Sequence, residues 1–258
     1  MMNNNWLNRT ELLIGNENVK KLQNSTIVVF GLGGVGSYVV EGLVRAGIGT
    51  IVLVDKDFVD ITNINRQIIA DTSTIGRLKI DVQKERILKI NPNAHVLGIS
   101  DFVTRENIYD IMKKIYNFLY STNSQINIDY VVDAIDTVSS KLGIIKYCYE
   151  NNIKLISCMG TGNKLDASKF KITDINKTSV CPLAKVIRKE LRNMKIPKLK
   201  VLYSDEVPIS NSLNMPSETK ILSDFMKKST PASISFVPSV AGLLIAGEVI
   251  KDLAFVPI

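Results

Sequence analysis

The run Gly31-Leu32-Gly33-Gly34-Val35-Gly36 spaces its glycines as a phosphate-binding turn would. Gly31 permits a tight turn, Gly33 lets the backbone approach a phosphate, and Gly36 lets a helix pack close to a strand. A helix that starts there offers unpaired N–H groups and the positive end of its dipole to an anion. Glycines so spaced also serve plain turns, so the loop needs partners. Asp55 stands at the distance expected of a ribose-binding carboxylate. Beyond it come Asp57, Asn63, Arg66, Gln67 and Lys79. A carboxylate, an amide, an arginine and a lysine beside a phosphate loop suit a nucleoside triphosphate with Mg²⁺. Arg66 and Lys79 would neutralise charge on the phosphates as pyrophosphate leaves. Asp136 adds a carboxylate that can hold the metal or keep the cations oriented. Any one of these residues alone reads as a solvated surface charge; the set together points to a site. A nicotinamide-dependent hydride transfer is the competing reading, and it leaves the cluster from Asn63 to Lys79 without a task.

These residues need a scaffold, and the hydrophobic pattern supplies one. Residues 16–22 read as a short helix and 26–30 as an apolar strand, followed by the glycine loop and a helix over 34–46. Gly47 and Gly49 stop that helix, and 50–55 forms the second strand. Helices are expected over 77–90, 106–119 and 139–151, with strands at 94–99, 130–135 and 154–157. Asn91-Pro92 ends the first of those helices, and 121–127 is a polar loop. Asp136 then sits at the carboxyl end of a parallel strand, where open α/β sheets bind ligands. The expected class is α/β: a Rossmann-like, doubly wound, mostly parallel sheet with a C-terminal α+β extension. The expected division is a nucleotide-binding domain over 1–160 and an extension over 161–258 packed on the same sheet. That extension reads as a strand at 169–173, a basic helix at 183–194 and a strand at 200–203. A flexible insertion follows at 204–229, then a buried strand at 234–238 and a buried helix at 240–253.

Composition narrows the function. Lys+Arg 32 against Asp+Glu 25 gives +7, a modest excess that permits an anionic partner without demanding one. Cys148, Cys158 and Cys181 form no C-x-x-C pair, which leaves no zinc knuckle and suits a reducing cytoplasm. His95 is the only histidine, so schemes needing two histidines are excluded. The Asn-rich start lacks a signal-peptide profile. The apolar stretch 232–250 carries Pro238, two glycines and Glu248, and it reads as buried rather than membrane-spanning, with peripheral association the minority alternative.

The Gly-x-Gly-Gly-x-Gly run, Asp55 and Asp57, Asn63-x-x-Arg66-Gln67, Lys79 and Asp133-x-x-Asp136 together resemble the ubiquitin-activating-enzyme-like adenylyltransferases. The resemblance implies that Asp55 binds the ribose of ATP, that Asp57, Asn63, Arg66 and Lys79 surround its phosphates, and that Asp136 serves Mg²⁺. It also implies a homodimer in which Arg9 reaches the ATP held by the partner subunit. Relatives that activate sulfur-carrier proteins hold zinc with two C-x-x-C pairs, and this sequence has none.

Other stretches resemble the bacterial tRNA threonylcarbamoyladenosine dehydratases. They are Gly47-Ile48-Gly49, Asp101-Phe102-Val103-Thr104, Asp133 to Val138, Pro182-Leu183-Ala184, and Ala232-Ser233 with Ser235-Phe236-Val237-Pro238. Cys181 departs from the pattern, since an acidic residue is usual there. The resemblance implies that ATP adenylates the carboxylate of the threonylcarbamoyl group beside the anticodon. The carbamoyl nitrogen then closes a hydantoin ring, with Arg66, Lys79 and Asp136 as the catalytic set. Lys185, Arg188, Lys189 and Arg192 on the basic helix, followed by Lys195, Lys198 and Lys200, are the candidate tRNA contacts; a solvated helix face is the equal alternative. A cysteine desulfurase or sulfur-acceptor system is a candidate partner. Activation of a small sulfur-carrier protein, NAD(P)-dependent oxidoreduction and a non-catalytic nucleotide sensor are the alternatives.

Overall fold

The computed structural model describes residues 5–122, 127–209 and 231–255. Strand β1 (Thr26–Phe30) and strand β2 (Thr50–Val54) are buried along their whole lengths. That is the environment of a parallel strand covered on both faces, and it explains their near-continuous apolar runs. They pair in parallel from Thr26 opposite Thr50 to Phe30 opposite Val54. On the other side of β1 lies β4 (Tyr130–Asp133), with Phe30 opposite Asp133.

With β3 (His95–Ile99), β5 (Leu155–Cys158), β6 (Phe170–Asp174) and β7 (Lys200–Ser204), the sheet has seven strands in the order β3-β2-β1-β4-β5-β7-β6. Only β6 runs antiparallel to its neighbour. The order reverses between β1 and β4, so the crevice at their carboxyl ends is the switch point where such sheets bind ligands. Residues after 160 extend this same sheet through β7 and β6.

Helices cover both faces. On one lie α1 (Asn8–Ile14), α2 (Asn16–Gln23), α3 (Gly36–Arg45), α4 (Lys79–Ile90) and the last helix, α8 (Phe236–Ala254). On the other lie α5 (Ile108–Ser121) and α6 (Val138–Glu150). The basic helix α7 (Pro182–Asn193) buries Ala184, Ile187 and Leu191 against α6 and β7.

Expectation and structure differ at three places. Helix α1 is absent from the sequence reading, because seven residues exposing Leu12 and Leu13 carry no amphipathic signature. The polar loop expected from 121 begins one residue late, since Ser121 ends α5, and 123–126 lie outside the described residues. The strand expected at 234–238 is the start of α8, with Ile234 and Phe236 partly exposed. Pro238 misled that reading. In the first turn of a helix its missing N–H has no partner to lose, so it starts a helix as readily as it ends a strand.

Helix α8 packs against α3 at backbone contact: a Cβ on Gly242 would stand 2.4 Å from the Val35 carbonyl oxygen, and one on Gly42 2.6 Å from Ala246. No described helix is long and apolar enough to cross a membrane. The insertion expected at 204–229 falls, from 210 on, outside the described residues.

Candidate nucleotide-binding site

A cavity of about 640 Å³ opens at the switch point. Gly31, Gly33 and Gly34 line it after β1, Asp55 and Asp57 after β2, and Asp136 after β4. Asn63, Arg66 and Gln67 come from the turn beginning at the 3-10 segment Ile61–Asn63, and Lys79 from the start of α4. Gly36 does not line the cavity; it sets the loop's shape. A Cβ there would overlap the Gly31 carbonyl oxygen at 1.8 Å. Gly31 itself has φ +87°, open to glycine, and turns the chain directly after β1.

The loop is primed for an anion. Among the described residues the backbone N–H groups of Gly33, Gly34, Val35 and Gly36 have no intramolecular acceptor. They lie at the entry to α3, whose dipole adds a partial positive charge. Leu32 donates its N–H to Asp55 Oδ2 at 2.6 Å, and Asp57 donates its N–H to Asp55 Oδ1 at 2.8 Å. Asp55 is thereby locked beside the phosphate turn. Burial pushes its carboxyl above the ordinary range, opposed by the charge of Lys79 and by these two bonds.

Lys79 is 7% exposed at the side chain, and its Nζ lies 3.1 Å from Asp57 Oδ2, itself 54% exposed. A desolvated ammonium with one half-solvated partner has capacity for a further anion. Arg66 Nη1 donates to the Thr62 carbonyl and to Asn65 Oδ1, both at 2.8 Å, which holds the guanidinium at the rim. Asn63 is buried and accepts the Asp60 N–H at 3.2 Å, so it shapes the turn as well as lining the cavity. Gln67 is buried with its Oε1 unpartnered among the described residues, and it lines the cavity. Asp136 is exposed and accepts only from Thr137 Oγ1, at 3.4 Å.

The residues predicted elsewhere separate. Arg9 is exposed on α1, at the opposite end of the sheet, where Leu7 packs beside Gly47 ahead of β2. It cannot reach the cavity of its own chain. Lys185, Lys189 and Arg192 are exposed on α7. Arg188 is engaged internally, its Nη1 donating to the Thr178 carbonyl at 3.0 Å and Thr178 Oγ1 at 2.6 Å. Lys200 is likewise engaged, 2.6 Å from Asp252 and 3.0 Å from Glu248 of α8. All three cysteines are buried. Burial pushes the thiols of Cys148 and Cys158 up to about 12, which keeps them protonated and poorly nucleophilic.

The sequence reading gave no site role to part of the lining, although Asp101–Val103 and Ala232-Ser233 stood among its family-like stretches. Asp101, Phe102 and Val103 line the cavity from the loop after β3, with Lys56 Nζ 4.5 Å from the centre of the Phe102 ring. Met159, Gly160, Thr161, Gly162, Pro231, Ala232 and Ser233 close the far wall. Beneath the floor, Lys141 is fully buried. It donates to Asp133 Oδ2 at 2.9 Å, Ser157 Oγ at 3.1 Å and the Cys158 carbonyl at 2.7 Å. Asp133 also accepts the Ile135 N–H at 3.2 Å, so one buried network steadies the loops after β4 and β5. A lysine in the second turn of a helix carries no signal of such burial.

A Rossmann-like sheet with a polar cavity at its switch point, a free-donor glycine turn and converging cations defines a nucleotide-binding α/β protein. Residues 7–255 match the ThiF family, and the chain belongs to it. It is 44% identical over 250 residues to the tRNA threonylcarbamoyladenosine dehydratase of Bacillus subtilis, covering 95% of this chain and 93% of that one. The dehydratase of Escherichia coli K12 is 39% identical over 184 residues, 71% of this chain and 64% of that one. The solved structure of E. coli tRNA N6-threonylcarbamoyladenosine dehydratase in complex with ATP superposes with a TM-score of 0.80. It is 30% identical, covering 98% of this chain and 96% of that one.

Proposed function

We infer that this chain is an enzyme of tRNA modification, which uses ATP to cyclise threonylcarbamoyladenosine beside the anticodon with net loss of water. The likeness to dehydratases along nearly the whole chain supports this, as does the ATP-bound relative. The single observation that carries it is the convergence on one cavity of Asp55, Arg66, Lys79, Asp136 and the glycine turn, residues far apart in sequence.

The chemistry follows in two steps. A carboxylate oxygen of the threonyl group attacks the α-phosphorus of ATP, the bond to the β-phosphate breaks, and pyrophosphate leaves. The carbamoyl nitrogen then attacks the acyl carbon, loses its proton, and expels AMP as the five-membered ring closes. The second step is intramolecular, so orientation supplies most of what it needs. That accounts for a site whose lining thiol, Cys158, is buried and protonated.

Asp55 holds the ribose, and the Gly33, Gly34 and Val35 N–H groups, with Asn63, Arg66, Gln67 and Lys79, hold the phosphates. Lys79 and Arg66 stabilise the charge that grows on departing pyrophosphate. Mg²⁺, when bound, would screen that same charge. Its ligands would be phosphate oxygens with Asp136 as the protein carboxylate, as Mg²⁺ with a nucleotide typically takes few protein ligands. Asp57 fixes Lys79.

The active species is a homodimer. The exposed apolar side chains Phe236, Leu243 and Leu244 on α8, and Leu12 and Leu13 on α1, support it. Arg9, unable to serve its own cavity, serves the partner subunit's. Lys185, Lys189 and Arg192 position tRNA phosphates. The reaction belongs to the cytoplasm, where tRNA is found.

Purified protein with ATP, Mg²⁺ and threonylcarbamoyl-modified tRNA is expected to yield the cyclised nucleoside by mass spectrometry. An unchanged nucleoside mass, with an active relative converting the same tRNA, refutes the assignment.

A further inference from the structure

The cavity has two halves, and the nucleotide accounts for only one. Every residue given to ATP comes from the β1, β2 and β4 ends, the turn from Ile61 and the start of α4. Apart from the loop after β3, the wall left over includes Gly160, Thr161 and Gly162 together with Pro231, Ala232 and Ser233. We propose that this wall is the subsite for the substrate's carboxylate, with Asn163 as the positioning residue that holds it together. This rests on the reading of the reaction above.

Two observations carry it. First, the backbone N–H groups of Gly160, Thr161 and Gly162 have no intramolecular acceptor among the described residues. Three successive donors without a protein acceptor on a cavity wall are available to a carboxylate and to the oxyanion that develops at its carbon. They are a second donor set, separate from the one on the glycine turn.

Second, Asn163 binds the two sides of the wall to each other. Its N–H donates to the Ala232 carbonyl at 2.8 Å, and its Oδ1 accepts the Ala232 N–H at 2.7 Å. Its carbonyl accepts the Ile209 N–H at 2.8 Å. To do all three it adopts φ +58°, a left-handed conformation that asparagine tolerates better than most residues. Beside it, a Cβ on Gly162 would stand 2.7 Å from the Pro231 Cβ, so the wall closes only with glycine there. Asn65 ties the same segment to the nucleotide half, donating to the Ser233 carbonyl at 3.1 Å. The wall is thus held in fixed relation to Arg66, next to Asn65 in the chain.

Asn163→Gly accepts the same left-handed φ and removes the side chain with its Oδ1, while Asn163→Asp keeps the acceptor. Gly162→Ala disturbs the same contact from the other side. Each is measured for ATP affinity without tRNA, for KM and kcat with modified tRNA, and for thermal unfolding. Asn163→Gly is expected to raise KM for modified tRNA roughly fivefold to tenfold, the size of one lost interior hydrogen bond. Gly162→Ala moves KM in the same direction. Asn163→Asp keeps the hydrogen bond but sets a second negative charge beside the carboxylate subsite, and it also raises KM. ATP affinity holds within about twofold in Asn163→Gly and Gly162→Ala. Equal losses of ATP affinity, or unchanged KM in both Asn163→Gly and Gly162→Ala, overturn the proposal. A wild type that leaves modified tRNA unconverted sinks the reaction itself, and the subsite with it.

Discussion

Replacing Lys79 with methionine separates stability from catalysis. The Lys79–Asp57 pair spans 3.1 Å, but Asp57 is 54% exposed, so solvent screens it. Pairs of that kind contribute about 0–1 kcal/mol. Against that stands the cost of holding an ammonium in a side-chain environment only 7% exposed, several kcal/mol before compensation. Methionine fills similar volume without the charge, so unfolding stability should hold or rise by about 0–2 kcal/mol. Catalysis should fall about 10²–10³-fold, the usual consequence of removing one donor from developing transition-state charge.

The substitution also reaches Asp55. Burial holds that carboxyl above its ordinary range and the Lys79 charge partly opposes this. Without Lys79 the carboxyl rises further, and the acid-side loss of ATP binding moves to higher pH. Pyrophosphate release with modified tRNA, thermal unfolding without nucleotide and ATP titrations between pH 5 and 8 would read all three effects. Retained turnover within about tenfold of wild type would remove Lys79 from the site. Lost turnover with a large drop in unfolding temperature would show it to be structural.

Gly33→Ala meets open space and should leave stability unchanged while weakening ATP binding. Gly36→Ala, whose Cβ would overlap the Gly31 carbonyl, should destabilise the protein itself; calorimetry and nucleotide titration distinguish the two. Mixing inactive Arg9→Ala and Lys79→Met subunits should restore about a quarter of wild-type activity, since only one site in each mixed dimer is complete. No restoration after verified subunit exchange would place Arg9 outside the partner's site. Glu41 is buried, which by itself raises its carboxyl, but bonds from Arg86 and Arg45 outweigh this and lower it. Its stabilisation is therefore present above its unfolded value and lost as pH falls through the lower folded one. Glu41→Gln should lose about 1–2 kcal/mol near pH 7, with the difference closing below about pH 4 in thermal melts.

The site was legible wherever a residue type carries its own chemistry at a fixed distance from an element's end. The glycine turn, Asp55 and Asp136 sit just past strands whose apolar runs mark them, and Lys79 opens a helix with a clear period. The internal partners of Arg188 and Lys200 were not legible, because charge and position along the chain do not reveal whether a partner waits across the fold. The carbonyl of Thr178 and the carboxylates of α8 do. Pro238 was ambiguous for a local reason: a proline can open a helix or end a strand.

The sequence by itself determined the alternation of strands and helices, hence the parallel sheet, its switch point and the glycine turn beside it. These depend on periodicity and backbone freedom, which act over a few residues. Only the tertiary structure decided that Gly160–162 and Pro231–Ser233 meet in one wall, and that Lys141 lies buried beneath the floor. Only it decided that Arg9 stands at the wrong end of its own sheet. Those facts rest on contacts between segments tens of residues apart, set by how α8 and the crossover loops pack, and no local pattern encodes that distance.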